Sequence, residues 1–264
     1  MRTYTNMAWP DDPYRASQQL YARPSAMLAA FAVLPPGQCA VMTPAAVAVV
    51  YLPLHRTRAI TVTEDTLAFG FRAASTANGG CVPRLASVAD LDLMQARRHG
   101  RFLAGHALGP SLRALREAAP GLVARGLDAV ESGWADRPAP ARSTAAMIDI
   151  RDDRHDLAAI CRSAAVTASP ASMASGIPSG DPDGREAAER LAAAAAERAL
   201  AIALATARGL GRYRWEGTVR TARIMAAAAW DLFPHVSWDD APCDQAAALG
   251  QAITRTGNAG DHHQ

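Results

Sequence analysis

A long alanine-rich segment places the strongest constraint on how this chain folds. Residues 185–210 contain no proline, and their single glycine, Gly209, stands next to the end. Alanine is the best helix former, so the segment predicts one long helix of about seven turns. Its small side chains, over Ala187–Ala207, allow another element to approach closely. Use of this face for homodimerisation is therefore one hypothesis.

Strand and helix patterns alternate upstream of this segment. Residues 47–53 form a continuous apolar run, which is typical of a strand buried on both faces. Further strands are predicted at 58–63, 67–72, 102–104 and 145–150, and helices at 88–99, 111–118 and 156–165. The segment Glu64-Asp65-Thr66 between the second and third strands indicates a hairpin turn. Residues 47–210 thus have the element order βββαβαβα, an α/β pattern.

The segments on either side are predicted from helix start and stop signals. Residues 12–31 fit an amphipathic helix with Asp11 or Asp12 as N-cap, and Pro35 and Pro36 follow its end. Residues 133–143 and 168–184 are predicted as loops, and 218–232 as a helix that ends before Pro234.

Composition excludes several classes of protein. The net charge is only +2, and all 27 basic residues are arginine, so nucleic-acid affinity would require arginines clustered on one face. The four cysteines form no C-x-x-C pair, which argues against a disulfide framework or structural zinc. No apolar stretch approaches the roughly 20 residues that span a bilayer. A cytoplasmic protein that does not contact a membrane is expected.

Residues 197–210, with the sequence ERALAIALATARGL, resemble the last motif of the DEDD-type 3′–5′ exonucleases, H-x-A-L-x-D-A-x-A-T-A-x-x-L. Glu197 stands where this family has its general-base histidine. Ile202 stands where it has a metal-binding aspartate. The positions in register are Ala199, Leu200, Ala203, Ala205, Thr206, Ala207 and Leu210.

Three further segments extend the resemblance to about residues 45–211. Residues 101–115 are similar to the middle motif G-H-N-x-x-F-D-L-x-x-L, in which Gly105 and His106 match and Ser111 replaces a metal-binding aspartate. Residues 147–161 are similar to a strand and the helix after it. The first motif, a strand closing in D-x-E, is assigned to 47–54, where Tyr51 and Pro53 replace the carboxylates.

The resemblance implies an RNase H-like exonuclease fold with a central mixed sheet, in agreement with the order βββαβαβα. The implied division is an N-terminal extension (1–45), an exonuclease-like domain (46–211), and an additional C-terminal helix with a tail (212–264). Family members cleave phosphodiesters with two metal ions held by carboxylates. Since the metal positions carry Tyr51, Pro53, Ser111 and Ile202, we expect no catalytic Mg²⁺ or Mn²⁺ and no exonuclease reaction.

An active 3′–5′ exonuclease with atypical carboxylates stays an alternative. Its ligands and base would be Glu64, Asp65, Asp149 and Glu197, with Mg²⁺ or Mn²⁺ as cofactor. The run after Asp149 also brings Asp152, Asp153, His155 and Asp156 close together in sequence. Such a run either holds a divalent ion or caps the next helix.

Three roles are open for a chain without catalysis. The first is binding of single-stranded nucleic acid, with His106 at the mouth of the implied cleft and Arg212, Arg214 and Arg220 interleaved with aromatics as candidate contacts. The second is a regulatory protein on an exonuclease scaffold. The third is a protein–protein module, with a partner protein or a second copy docked on the vacated cleft or the alanine-rich helix. For each candidate residue the alternative is a structural one: a hydrogen-bonded buried histidine, or solvated arginines at a helix junction.

Overall fold

Two apolar runs form the centre of a six-stranded sheet. Strands β2 (Met27–Leu34) and β3 (Ala46–Pro53) pair antiparallel, from Met27 opposite Pro53 to Leu34 opposite Ala46. All β3 residues up to Leu52 are fully buried, as the unbroken apolar run predicts. The computed structural model describes residues 1–7, 27–35, 43–55, 57–76, 81–136, 145–151, 156–173 and 184–238.

The sheet is antiparallel on one side of β2 and parallel on the other. β5 (Gly70–Ser75) pairs antiparallel with β3, and β1 (Arg2–Thr5) pairs antiparallel with β5. On the other side, β6 (Phe102–Gly105) runs parallel to β2, and β7 (Ala146–Asp149) runs parallel to β6. The order across the sheet is β1-β5-β3-β2-β6-β7.

Two short parallel ladders join distant parts of the chain. One pairs β4 (Ile60–Thr61) with β9 (Tyr213–Arg214), and the other pairs β8 (Val166–Thr167) with β10 (Val219–Arg220). Both ladders tie the region after residue 211 to the main domain. The described helices are α1 (Val82–His99), α2 (Leu108–Glu117), α3 (Arg125–Asp136), α4 (Leu157–Ser163), α5 (Pro170–Met173), α6 (Gly184–Gly209) and α7 (Thr221–Ala229).

Helices cover both faces of the sheet. The strand period of two sends Leu28, Ala30 and Ala32 of β2 toward α6, while Ala29 and Phe31 face α1. One apolar cluster joins the sheet to α4, α6 and α7, and the second joins it to α1, α2 and α3. None of the described helices is long and apolar enough to cross a membrane.

Most predicted elements after residue 46 are confirmed. The structure has strands and helices at the predicted places from 46–53 to 184–209, and the mixed α/β architecture is as expected. Helix α3 was missed, since 133–143 was predicted as a loop and the segment before it was left unassigned. The predicted helix at 218–232 is shorter, because β10 precedes α7.

The predicted N-terminal helix is wrong over residues 27–31, which belong to the central strand β2. A short apolar run fits either a buried helix or a buried strand, and pairing with β3 decides between them. The remainder of that prediction, 12–26, lies outside the described residues. Because β1 and β2 are both strands of the sheet, a boundary at residue 45 would divide paired strands, and 27–34 is no extension.

The predicted hairpin of 58–63 with 67–72 is also wrong. The turn itself is present, since the backbone N–H of Thr66 donates to the carbonyl oxygen of Thr63 at 3.3 Å. The segments that flank the turn take other partners. β4 pairs with β9, and β5 pairs with β3 and β1.

Candidate functional site

A cleft of about 170 Å³ opens beyond the carboxyl ends of β2 and β6. These neighbouring parallel strands continue in different ways, β2 into antiparallel β3 and β6 through helices into parallel β7. In open α/β sheets, ligands bind where the connections diverge in this way. The lining residues of this β2–β6 cleft are Phe31, Ala32, Val33, Pro35, His106, Ala107, Leu108, Ser111, Arg198 and Ile202.

The turn from β6 into α2 forms one wall. Ala107 adopts a left-handed backbone conformation with φ 49°, which is uncommon for a residue other than glycine. Its N–H donates to Asp149 Oδ1 at 3.1 Å, and the Arg151 N–H donates to the same oxygen at 2.9 Å. The carboxylate at the end of β7 therefore holds the turn that places His106 and Ser111 beside the cleft.

Helix α6 forms the opposite wall. Arg198 and Ile202 are four residues apart and lie on the same face of the helix. Burial lowers the pKa of the half-buried Arg198 guanidinium, and burial raises the pKa of the neighbouring Cys161 thiol to about 12. The guanidinium remains charged at neutral pH, while the thiol remains protonated.

The imidazole of His106 is half-buried beside that guanidinium. Burial lowers the pKa of His106, Arg198 and Arg151 lower it further, and Asp149 and Asp156 oppose the shift. The sum is a lowered pKa, so the ring is predominantly neutral at pH 7. It offers one donor and one acceptor to the cleft. The positive charge of the described lining residues therefore comes from Arg198.

The structure brings together three residues that two separate sequence motifs singled out. His106, Ser111 and Ile202 all line the β2–β6 cleft, although Ile202 comes from a motif that is distant in the chain. Glu197 does not line this cleft. It borders a second, larger cavity on another face of α6, since adjacent helix residues point about 100° apart.

Tyr51 and Pro53, to which the first motif was assigned, do not line the β2–β6 cleft. β3 runs antiparallel to β2, which places Pro53 opposite Met27, at the end of the sheet away from Ala32. Tyr51 also packs on the α1 side of the sheet, whereas Ile202 packs on the other side. The direction of a strand within a sheet leaves no signal in its apolar pattern.

Ala32 is one of several cleft residues that the sequence analysis did not single out as site candidates. It lies near the carboxyl end of β2, two residues before Leu34, and both side chains point toward α6. Recognition of residues 27–34 as a strand would have been the signal for it. Residues 27–31 of that strand were instead predicted as the end of a helix.

The arginines proposed as nucleic-acid contacts lie elsewhere. Arg212 and Arg214 belong to the chain around β9, next to Tyr213, whose hydroxyl donates to the Pro53 carbonyl oxygen at 2.7 Å. Arg220 Nε donates to Glu64 Oε1 at 3.1 Å, and Arg223 Nη1 lies 3.2 Å from Glu64 Oε2. None of these arginines lines the β2–β6 cleft with His106.

The carboxylates of the active-exonuclease alternative are spread over the molecule. Glu64 binds Arg220 of β10 and Arg223 of α7, Asp149 binds backbone amides beside the cleft, and Glu197 is buried next to α5 and α7. Within the described part of the chain, no group of three or more histidine, cysteine, aspartate or glutamate residues has the arrangement of a metal site. Asp156 caps α4, where its Oδ1 accepts from the Ala159 N–H at 2.7 Å. Asp152, Asp153 and His155 lie outside the described residues.

Comparison with known proteins gives no match. Neither a protein-family model, nor a curated protein, nor a solved structure is significantly similar to this chain.

Proposed function

We propose that this chain is an exonuclease-like protein that binds the end of a single-stranded nucleic acid in the β2–β6 cleft without hydrolysing it. One observation carries the proposal. Ser111 and Ile202, which the resemblance assigns to metal-binding positions in two different motifs, lie on the walls of one cleft, together with His106. An incidental sequence likeness would give no reason for these positions to converge.

The strand order supports an RNase H-like scaffold. Three antiparallel strands (β2, β3 and β5) are followed by α1, parallel β6, α2 with α3, parallel β7 and then α4 and α6, an order that can be written βββαβαβα. The three strands predicted for this order were 47–53, 58–63 and 67–72, so β2 takes the place of β4, which pairs with β9 outside the sheet. On this scaffold β2 carries the first motif. Ala32 and Leu34, two residues apart, then take the positions of the D-x-E carboxylates.

The lining chemistry favours an anion over a divalent cation. Mg²⁺ and Mn²⁺ require several hard oxygen ligands, and the described lining side chains offer the Ser111 hydroxyl but also a guanidinium and apolar groups. Arg198 instead presents a planar cation suited to a phosphate, and the neutral His106 ring can donate or accept one hydrogen bond. The proposed cleft therefore binds a phosphate group of the strand without the metal ions that hydrolysis would require.

The size of the cleft indicates which part of a strand it takes. Pockets that enclose a whole small molecule measure about 300–1,000 Å³. A cleft of about 170 Å³ is smaller, and suits the terminal group of a longer chain. A terminal phosphate or terminal sugar is the group that we assign to it.

Fluorescence anisotropy with 5′-labelled single strands of DNA and RNA tests binding. We expect Arg198→Met to weaken binding and to reduce the slope of log K against log salt by about 0.7 if one phosphate contact is lost. Methionine keeps the apolar stem of the side chain, so a loss of affinity in this variant is due to the missing charge. Arg84→Met, on the exposed side of α1, is the matched control and should leave the slope unchanged.

A second variant tests the same cleft in case Arg198→Met does not fold. Ser111→Trp fills the cleft from α2 and should also abolish binding, with Arg198 intact. If the triple variant of Arg212, Arg214 and Arg220 flattens the salt slope while Arg198→Met does not, the binding site is the β9–β10 surface. No binding of either strand at low salt would contradict the proposal and favour a protein partner.

Hydrolysis is tested in the same samples. Incubation of 5′-labelled strands with Mn²⁺ or Mg²⁺ should give no 3′ shortening. Metal-dependent shortening that disappears in Glu64→Ala or Asp149→Ala would establish the active-exonuclease alternative instead.

A further inference from the structure

The carboxylate of Glu197 is buried in the middle of α6 and has no cationic partner among the residues that the structure describes. Its side chain accepts three hydrogen bonds: from the Ser169 N–H at 2.8 Å, from the Ser169 hydroxyl, and from the Thr221 hydroxyl at 2.8 Å. Only 2% of the residue is exposed. Among the residues that the structure describes, every hydrogen-bond donor to Glu197 is therefore uncharged.

A buried carboxylate in such a setting attracts a cation. Removal of an ionised carboxylate from water costs far more than a neutral hydrogen bond returns, and buried charges in proteins are generally paired. The three neutral donors fix the orientation of the Glu197 carboxylate. Within the described part of the chain, they leave this carboxylate without a positively charged partner.

Glu197 borders a cavity of about 530 Å³ that α6 shares with α5, α7 and the segment after residue 234. This volume lies within the range of small-molecule sites. The cavity face of α6 carries Arg190, Ala193, Ala194 and Glu197, at the spacing of one helix face. Since both alanines end at Cβ, the space between the two charged residues stays open.

The remaining walls are largely apolar and are held in place by a second buried carboxylate. Ala222 and Val236 supply apolar surface, and Trp238 supplies an aromatic ring. Glu189 Oε1 accepts from the His235 N–H at 2.7 Å, which fixes the wall that carries Val236 and Trp238. We refer to this space as the α6 cavity.

The basic residue at the cavity already has an acidic partner. Arg190 Nη2 donates to Glu186 Oε2 at 2.8 Å, four residues earlier on α6. The Arg190 guanidinium is thus paired on the exposed side of the helix, whereas no cation of the described residues pairs with Glu197. An anionic ligand would have to compete with Glu186 for the Arg190 guanidinium, whereas a cationic ligand could donate to the buried Glu197 carboxylate.

We propose that the α6 cavity binds a small organic cation, a primary amine on a flat apolar body. The ammonium group donates to Glu197, the body packs on the alanine face of α6, and Trp238 lies on the opposite wall, where aromatic rings favour cations and flat groups. This site is separate from the β2–β6 cleft and does not rest on the nucleic-acid proposal.

Three amines and their alcohol counterparts test the charge requirement with the full-length protein. The pairs are benzylamine with benzyl alcohol, phenethylamine with 2-phenylethanol, and tryptamine with tryptophol. Binding is followed by calorimetry and by saturation-transfer NMR. We expect at least one amine to bind about tenfold or more tightly than its alcohol, because a hydrogen bond to a charged partner contributes at least that factor.

Two variants then locate the binding. Glu197→Gln keeps the shape and should remove the preference for the amine, while Glu216→Gln, an exposed residue with the same change in charge, should keep it. Ala194→Leu fills the cavity and should block all the probes. We choose Ala194 and not Ala193 for this substitution because Ala194 is 5% exposed and Ala193 is 1% exposed, so a larger side chain has more room at position 194.

Two outcomes would overturn the proposal. In one, no amine binds with a preference that depends on Glu197. In the other, the alcohols bind as tightly as the amines. If Glu197→Gln does not fold, Ala194→Leu decides the question, since unchanged amine binding to that variant places the amines outside the cavity.

Discussion

The Arg72 Nη1 atom lies 3.3 Å from Asp92 Oδ1, which joins β5 to α1 through a buried carboxylate. Asp92 is 3% exposed, and burial raises its pKa to about 7, an effect that the positive charge of Arg72 opposes without cancelling. The second oxygen, Oδ2, has no hydrogen-bond partner in the part of the chain that the structure describes. The ion pair therefore compensates only part of the cost of burying this charge.

This pair predicts that stability falls between pH 4 and pH 7. The pKa of Asp92 in the folded state exceeds its usual value of 3.8, so the folded state keeps the proton to a higher pH than the unfolded state does. As pH rises through that window, ionisation of the buried carboxyl lowers the free energy of unfolding. At pH 8, Asp92→Asn should raise the free energy of unfolding by up to about 4 kcal/mol, the equivalent of three pKa units. The gain should vanish at pH 4.

Urea unfolding at pH 4 and pH 8 measures this dependence. Asp231→Asn removes an exposed carboxylate at the end of α7 and should change little at either pH. An equal effect of Asp92→Asn at both pH values would contradict the raised pKa.

A glycine in α3 permits its close contact with α1. A Cβ on Gly126 would stand 2.1 Å from the Asp90 carbonyl oxygen, while the Gly126 N–H donates to Asp90 Oδ1 at 2.7 Å. Gly126→Ala should therefore destabilise the protein by about 1–3 kcal/mol, because one of the two helices must move. Gly109→Ala is the matched control in α2. Its Cβ meets nothing within 4 Å, so we expect it to be neutral or to stabilise by about 0.5–1 kcal/mol in chemical denaturation.

The sequence patterns predicted elements better than they predicted pairings. β3 was found because it is buried on both faces, and α6 because alanine strongly favours a helix. β2 has a similar apolar run, yet eight such residues fit either state until a partner strand is known. The turn at Thr63–Thr66 was recognised from local chemistry. The pairing of β4 with β9 depends on residues about 150 positions later, which no local signal reveals.

The candidate site shows the same division. Ser111 and Ile202 were identified from their motifs, and both line the cleft. Tyr51 lies away from the cleft because its strand runs antiparallel to β2. The surroundings of Glu197 depend on Ser169 and Thr221, which meet only after α5 and α7 pack on α6. Such convergence is a tertiary property.

The ring of Phe233 ties the chain after α7 to the edge of the sheet. Its centroid lies 4.9 Å from that of Tyr4 on β1 and 6.0 Å from that of Phe71 on β5, and the residue is 1% exposed. Phe233→Ala should therefore cost about 3–5 kcal/mol of stability. Trp230→Ala removes a larger ring that is 72% exposed and should cost little. If both variants lower the melting temperature by the same small amount, residues 212–238 form a separate appendage.

Restoration of carboxylates tests whether the cleft has the geometry of a metal site. Ala32, Ser111 and Ile202 reach the cleft from β2, α2 and α6. In the triple Asp variant three carboxylates should converge on the cleft. In the absence of metal, the variant should therefore melt at a lower temperature than the parent protein, and Mn²⁺ should raise its melting temperature. The lower melting temperature is expected because Ala32 and Ile202 are 2% and 1% exposed, and Arg198, the one charged cation among the described lining residues, cannot balance three carboxylates until Mn²⁺ binds.

The triple Asn variant is the matched control for that experiment. Asparagine has nearly the same shape without the negative charge, so Mn²⁺ should leave its melting temperature unchanged. Saturable stabilisation of the Asp variant alone would support the placement of the first motif on β2. Little exonuclease rate is expected even then, because the residues that orient ligands and the 3′ end were not restored. A folded Asp variant that ignores Mn²⁺ would count against the placement of these three residues at metal positions, and therefore against the exonuclease-like scaffold itself.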